Sequence, residues 1–210
     1  MTALRRPPQT TMTTRKRRGS TLPELLIVLA LLSILFAISA SRLSAALAQS
    51  SMRTACHHIA TLFTQAQGNA LFQRRDTGVK WVSLAGDVTF TLYEDGNGNG
   101  ILSSEIRSGV DRRIAGPYSM KSKYPSVSFS FVPGFSGPDP GGASIGNLSD
   151  PVRFGRGDIC TFSAVGRASP GSVYLSNGGD RQSVVRVTPS SQRVQILDWM
   201  PGARKWVRRW

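Results

Sequence analysis

The chain has 210 residues, 40% of them hydrophobic and 18% charged, with 21 Gly, 12 Pro and two Cys. That length accommodates one ordinary domain plus an appendage, and the composition excludes a disordered chain, a collagen, a coiled coil and a disulfide-dense scaffold. The formal net charge is +14, from 26 Lys and Arg against 12 Asp and Glu, but six basic residues lie in residues 1–19 and four in the last seven, leaving +4 for the body. A basic balance points to an anionic partner, and here it does so only at the two ends.

Seventeen uncharged residues run from Leu25 to Ser41 (LLIVLALLSILFAISAS). Taken as a helix with ~1.5 Å rise per residue, 20–41 is about 33 Å long, close to the ~30 Å hydrocarbon thickness of a bilayer. The expectation is a transmembrane segment. The preceding Arg15, Lys16, Arg17 and Arg18 hold the N-terminus in the cytoplasm by the positive-inside rule and send the rest across. A cleavable secretory signal has the same basic-then-apolar layout. Ala37, Ser39 and Ser41 offer it a weak cleavage site, while Glu24 near the start of the run counts against it.

A carboxylate beside a lipid-facing helix implies a cationic partner or a place in the headgroup zone. In the second case Glu24 serves the positive end of its own helix, and Pro23 fits the same first turn. Arg17-Arg18-Gly19-Ser20-Thr21-Leu22-Pro23-Glu24-Leu25-Leu26 resembles the class III signal of type IV pilins and of the pseudopilins of type II secretion. The resemblance implies that prepilin peptidase cuts between Gly19 and Ser20 on the cytoplasmic side and methylates the new amino terminus. The family usually has Phe where this chain has Ser20. The resemblance also makes Glu24 the residue whose carboxylate pairs with the terminal amine of a neighbouring subunit, the buried cation that such an acid requires.

Beyond Arg42 the pattern becomes amphipathic. Met52, Cys56, Ile59, Phe63, Ala66 and Ala70 recur every three or four residues, one helical face, so the helix is expected to run on through 42–76. His57 and His58 point about 100° apart on a helix and do not share an ion with Cys56; a solvated face accounts for them. Cys56 and Cys160 either form a disulfide in an oxidising compartment or stand as buried thiols.

From Gly78 the period changes to two. Strands are expected over 79–84, 88–93, 127–131, 159–164, 172–176, 183–188 and 193–199, with turns at 85–87 and 176–180. The Gly- and Pro-rich segment 133–157 reads as a flexible surface loop, and 200–210 as a basic, aromatic tail. The fold class is therefore α+β: a long N-terminal helix packed on an antiparallel β-sheet head spanning 77–199. The order of elements, with Cys160-Thr161-Phe162-Ser163-Ala164-Val165-Gly166-Arg167 and Val184-Val185-Arg186-Val187-Thr188 in late strands, resembles the GspH/FimT class of minor pseudopilins.

Asp95-Gly96-Asn97-Gly98-Asn99-Gly100 opens like a calcium loop, with oxygen ligands on alternate residues and a glycine at the turn. Glu105 falls one position short of the usual closing acid, and no flanking helices are expected. A calcium seat at Asp95, Asn97, Asn99 and Glu105 and an ion-free hairpin tip both fit. The chain has two histidines and none of the common hydrolase, metalloprotease or phosphate-loop motifs, so catalysis is not expected.

The C-terminal end interleaves Trp199, Trp206 and Trp210 with Arg204, Lys205, Arg208 and Arg209. Such a sequence can neutralise phosphates and stack on bases, or cap the sheet, or touch anionic lipid. Some members of the FimT class similarly bind DNA through a basic C-terminal region, which makes Arg193, Arg204, Lys205, Arg208 and Arg209 candidate DNA contacts. The resemblance implies a single-pass inner-membrane protein with a periplasmic head. Its implied partners are other pilins or pseudopilins, prepilin peptidase, the inner-membrane assembly platform and membrane lipid.

Overall fold

The computed structural model describes residues 21–84, 87–188 and 192–209. The chain divides into two units, residues 1–44 and 45–210, each described by itself. The leader 1–19 and the Gly19–Ser20 bond lie outside the described residues.

In the first unit, helix α1 (Leu22–Gln73) begins on a sequence that caps itself. Thr21-Leu22-Pro23-Glu24 has the spacing of a capping box, and the Thr21 N–H donates to Glu24 Oε2 at 3.4 Å. This is the reach-back half of that motif, supplying one of the first-turn donors that no helical carbonyl meets. Pro23 falls among those same orphan positions and therefore costs no helical bond. The large apolar side chains from Leu22 to Ile38 are exposed on every side, from 50% at Val28 to 78% at Phe36. Among the described residues no helix is long and apolar enough to cross a membrane; the expected span, 20–41, has its side chains described only from Thr21 to Ile38.

In the second unit α1 turns one face inward. Met52, Ala55, Cys56, Ile59, Leu62, Phe63, Ala66 and Ala70 are all buried, the three-four spacing expected of a helix on a sheet. The helix stops where Arg74 enters the left-handed region at φ 53°. Among the described residues nine strands follow: β1 (Thr77–Leu84), β2 (Asp87–Glu94), β3 (Arg112–Ser119), β4 (Val152–Arg153), β5 (Ile159–Phe162), β6 (Gly171–Ser176), β7 (Gln182–Val187), β8 (Val194–Met200) and β9 (Lys205–Arg208). Two short helices, α2 (Ser103–Ser108) and α3 (Met120–Lys123), flank β3.

The strands form two antiparallel sheets, ordered β3-β2-β1-β5 and β4-β6-β7-β8-β9. In the first, Val79 lies opposite Leu92 and Trp81 opposite Phe90. In the second, Val173, Val185 and Ile196 form one lateral row. Both rows enter the core that the α1 face closes, with Phe63 edge-on to Trp81 and Phe154 at ring separations of 6.1 and 5.7 Å.

Three expectations are corrected. Residues 127–131 alternate as a strand should, with Val127 buried, yet they share only an isolated bridge, Ser128 with Ser176. The buried side-chain amide of Gln182 takes the place of a neighbouring strand: it accepts from the Val132 N–H at 2.7 Å and donates to Ser130 and Leu175 carbonyls at 3.2 and 2.9 Å. Once a side chain has satisfied these backbone groups, no ladder is required.

Residues 133–157 are not a free loop. Phe135 is buried against Trp199 and Trp206, the Trp206 indole N–H donates to the Pro138 carbonyl at 2.7 Å, and the segment supplies β4. Gly137 permits this docking, because a Cβ there would sit 2.6 Å from the Trp199 ring. Nor is 200–210 a tail, since β9 pairs with β8 from Lys205 opposite Met200 to Arg208 opposite Leu197. The head therefore extends through Arg208. β3, which the pattern did not announce, carries Gly116 and Pro117 and register shifts against β2, features tolerated at a sheet edge.

Candidate functional site

Glu24 stands in the first turn of α1, its carboxylate capping its own helix start while the apolar side chains that follow remain exposed. In a single chain the helix end, with its partial positive charge, is the only partner the acid has among the described residues. The Thr-x-x-Glu spacing is a local signal, legible in the sequence, that identifies Thr21 as the cap residue.

The basic C-terminal residues separate into two sets. Arg204, Lys205 and Arg208 are exposed on the β8–β9 hairpin, and Arg193 is exposed at the opposite end of β8. Arg209 differs. Its guanidinium pairs with Asp198, both side chains about four-fifths buried, while Asp198 also accepts from the Ser183 hydroxyl at 2.6 Å and the Arg209 N–H donates to the Ile196 carbonyl. A guanidinium held this way is structural and is removed from the candidate DNA contacts. Trp199 and Trp206 pack against each other at 5.3 Å with their rings tilted by 59°, and both pack against Phe135, so these half-buried rings are engaged within the head.

The Asp95 loop does gather its four candidate ligands. Asp95 Oδ1 accepts from the Asn97 and Gly98 N–H groups at 2.9 and 2.8 Å, and Oδ2 from Gly100 at 2.7 Å. The side-chain amides of Asn97 and Asn99 both donate to Glu105 Oε1, at 3.0 and 2.8 Å. Glu105 comes from α2, a helix the sequence reading did not expect. Burial alone would raise the Asp95 carboxyl, but hydrogen bonds from the N–H groups of Asn97, Gly100, Gly98 and Asn99 bring it below its ordinary value. Asp111, buried and missed from sequence, accepts from the Leu102 N–H at 2.9 Å and ties the loop's exit to β3. These contacts close the loop by themselves. The asparagines turn donors, not acceptors, toward Glu105, and among the described residues no three His, Cys, Asp or Glu gather to hold a metal.

Cys56 and Cys160 are both buried and free, so the disulfide alternative is not formed. Burial, with the Asp198 carboxylate, pushes the Cys56 thiol up to about 12 against the opposing Ser183 hydroxyl and Arg209 guanidinium. Neither thiol is a nucleophile at neutral pH. Of the two histidines only His57 is on a solvated face. His58 packs edge-on between Phe90 and Tyr124 at 5.8 and 6.0 Å, and burial, with Lys123 nearby, lowers its pKa.

Comparison with known proteins adds one match. The prokaryotic N-terminal methylation motif coincides with residues 14–40, which hold the Gly19–Ser20 bond, Glu24 and most of the apolar run. No curated protein and no solved structure matches the chain. This motif, which takes in the self-capped start of α1 and precedes the α+β head, gives the chain the methylation signal of a type IV pilin-like protein.

Proposed function

We propose that the protein is a minor pilin or pseudopilin of the GspH/FimT kind, a non-catalytic subunit of a type II secretion pseudopilus or a type IV pilus. It is stored as a single-pass protein of the inner membrane with its head in the periplasm. Prepilin peptidase removes residues 1–19, and the assembly platform then draws the subunit into a filament through its N-terminal helix. The observation that carries this reading is Glu24 within a matched methylation motif, at the head of a helix whose large apolar side chains from Leu22 to Ile38 are exposed. Exposed Leu, Ile, Val and Phe on all sides of one helix are unfavourable in water at roughly 1.5–3 kcal/mol for each large side chain, and lipid or neighbouring helices relieve that cost equally well. Mass spectrometry of the native protein tests the proposal: a first residue of Ser20 in cells with the peptidase, and an intact leader in cells without it. A mature chain beginning near residue 42 would overturn it.

A second reading is supported by three cations, Arg204, Lys205 and Arg208, exposed on one hairpin. In this reading the filament subunit also holds DNA through phosphate contacts. Replacing the three by Ala should weaken DNA retardation uniformly across sequences and flatten its salt dependence by about one slope unit per residue. No retardation of the unaltered protein at low salt sinks the reading.

A further inference from the structure

The outward face of the second sheet carries a cleft that neither filament assembly nor the basic hairpin uses. Arg153 on β4 lies in register with Ser172 on β6, and Ser172 with Arg186 on β7. Neighbouring strands are about 4.8 Å apart, so two guanidiniums flank one serine hydroxyl on the same face. Tyr174, two residues further along β6, shares that face. Residues of the docked 133–157 segment close the far side and leave a cleft of about 280 Å³.

The charges and hydrogen bonds in this cleft do not balance. Asp139 lies 3.6 Å from Arg186, and its Oδ1 is taken by the Gly141 and Ala143 N–H groups at 2.8 and 2.9 Å. The Arg186 guanidinium lies close against Gly141, where a Cβ would stand 2.8 Å from it. Arg153 has no such carboxylate among the described residues, and its Nη1 is buried without a hydrogen-bond partner. The Tyr174 hydroxyl, on a side chain that is 0% exposed, likewise makes no well-formed hydrogen bond and has only the Ser172 hydroxyl beside it as a polar neighbour of its own strand. Native interiors rarely leave such donors unmet. Two cations and one anion leave a single positive charge beside three donors: a guanidinium N–H, a phenol and the Ser172 hydroxyl.

We propose that this cleft binds a small organic carboxylate, with Arg153 and the Tyr174 hydroxyl as its principal donors. One negative charge neutralises the site, and a planar carboxylate matches a guanidinium edge. The apolar wall from Ala143, Ile145 and Pro170 suits a short carbon chain attached to it. Arg153 comes from β4 and the two hydroxyls from β6, so no one stretch of sequence displays all three together.

Thermal unfolding of the full-length protein in detergent, titrated with acetate against chloride at equal ionic strength, tests the proposal. The midpoint should rise with acetate and not with chloride. Arg153→Gln should abolish the rise, and Tyr174→Phe, which keeps the buried ring, should weaken the apparent affinity about fivefold to tenfold, the worth of one lost hydrogen bond of ~1–1.4 kcal/mol. An acetate effect no larger than that of chloride, or one retained in both variants, overturns the proposal. An inorganic phosphate effect larger than that of acetate replaces the carboxylate with a phosphate and overturns the assignment of ligand class.

Discussion

At the scale of single residues, the informative side chains are those whose partners lie far away in sequence. His58 sits beside Cys56 and His57 in the chain, where it reads as one of a polar trio, yet in the fold it is sandwiched between Phe90 of β2 and Tyr124 after α3. Its pKa is lowered, first by burial and then by Lys123, so between that lowered value and the ordinary 6.5 the unfolded chain takes up a proton that the folded chain refuses. Stability therefore falls as the pH drops below about 6.5. Thermal unfolding followed from pH 7.5 to 5.5 should show this decline, and His58→Gln should flatten it. Arg209 makes the same point about charge. Among four cations in seven residues it is indistinguishable by sequence, and only the antiparallel return of β9 beside β8 brings it onto Asp198.

At the scale of elements, periodicity was a sound guide wherever one face of a long element met the core. The α1 positions Met52, Cys56, Ile59, Phe63, Ala66 and Ala70 were legible because a helix repeats every 3.6 residues and all of them are buried. Phe63→Ala should cost ~3–5 kcal/mol, since its ring fills the space between Trp81, Phe154 and Phe162. Leu71→Ala, on the opposite face and 51% exposed, should change stability by less than ~0.5 kcal/mol. Denaturant titration of both variants measures the contrast. Short elements were less legible: β4 has two residues and β9 four, too few for alternation to be counted. At 127–131 the alternation was real but the ladder was not, because Gln182, some fifty positions away, had already taken the backbone groups.

At the scale of the whole molecule, two units of opposite character share one chain. The first unit carries an apolar helical stretch whose large side chains are exposed from Leu22 to Ile38, and the second carries a closed core. If Glu24 serves assembly, Glu24→Gln should leave leader removal and the fold of the head intact while reducing incorporation into filaments severalfold. Fractionation of sheared filaments against membranes reads this directly; an unchanged distribution would assign the carboxylate to helix capping alone, through its contact with the Thr21 N–H.

Sequence by itself determined the matched methylation motif at 14–40, the apolar run, the buried face of α1 and most of the strands, because each is written in contiguous residues or in a repeat of fixed period. Tertiary structure alone decided that the 133–157 segment lies on the second sheet, that the basic end is a strand, that Arg209 is spent on Asp198, and that Arg153, Ser172, Tyr174 and Arg186 line one cleft. The reason is register. Which side chains meet across a sheet depends on how strands distant in the chain align, and no local pattern of charge or hydropathy records that alignment.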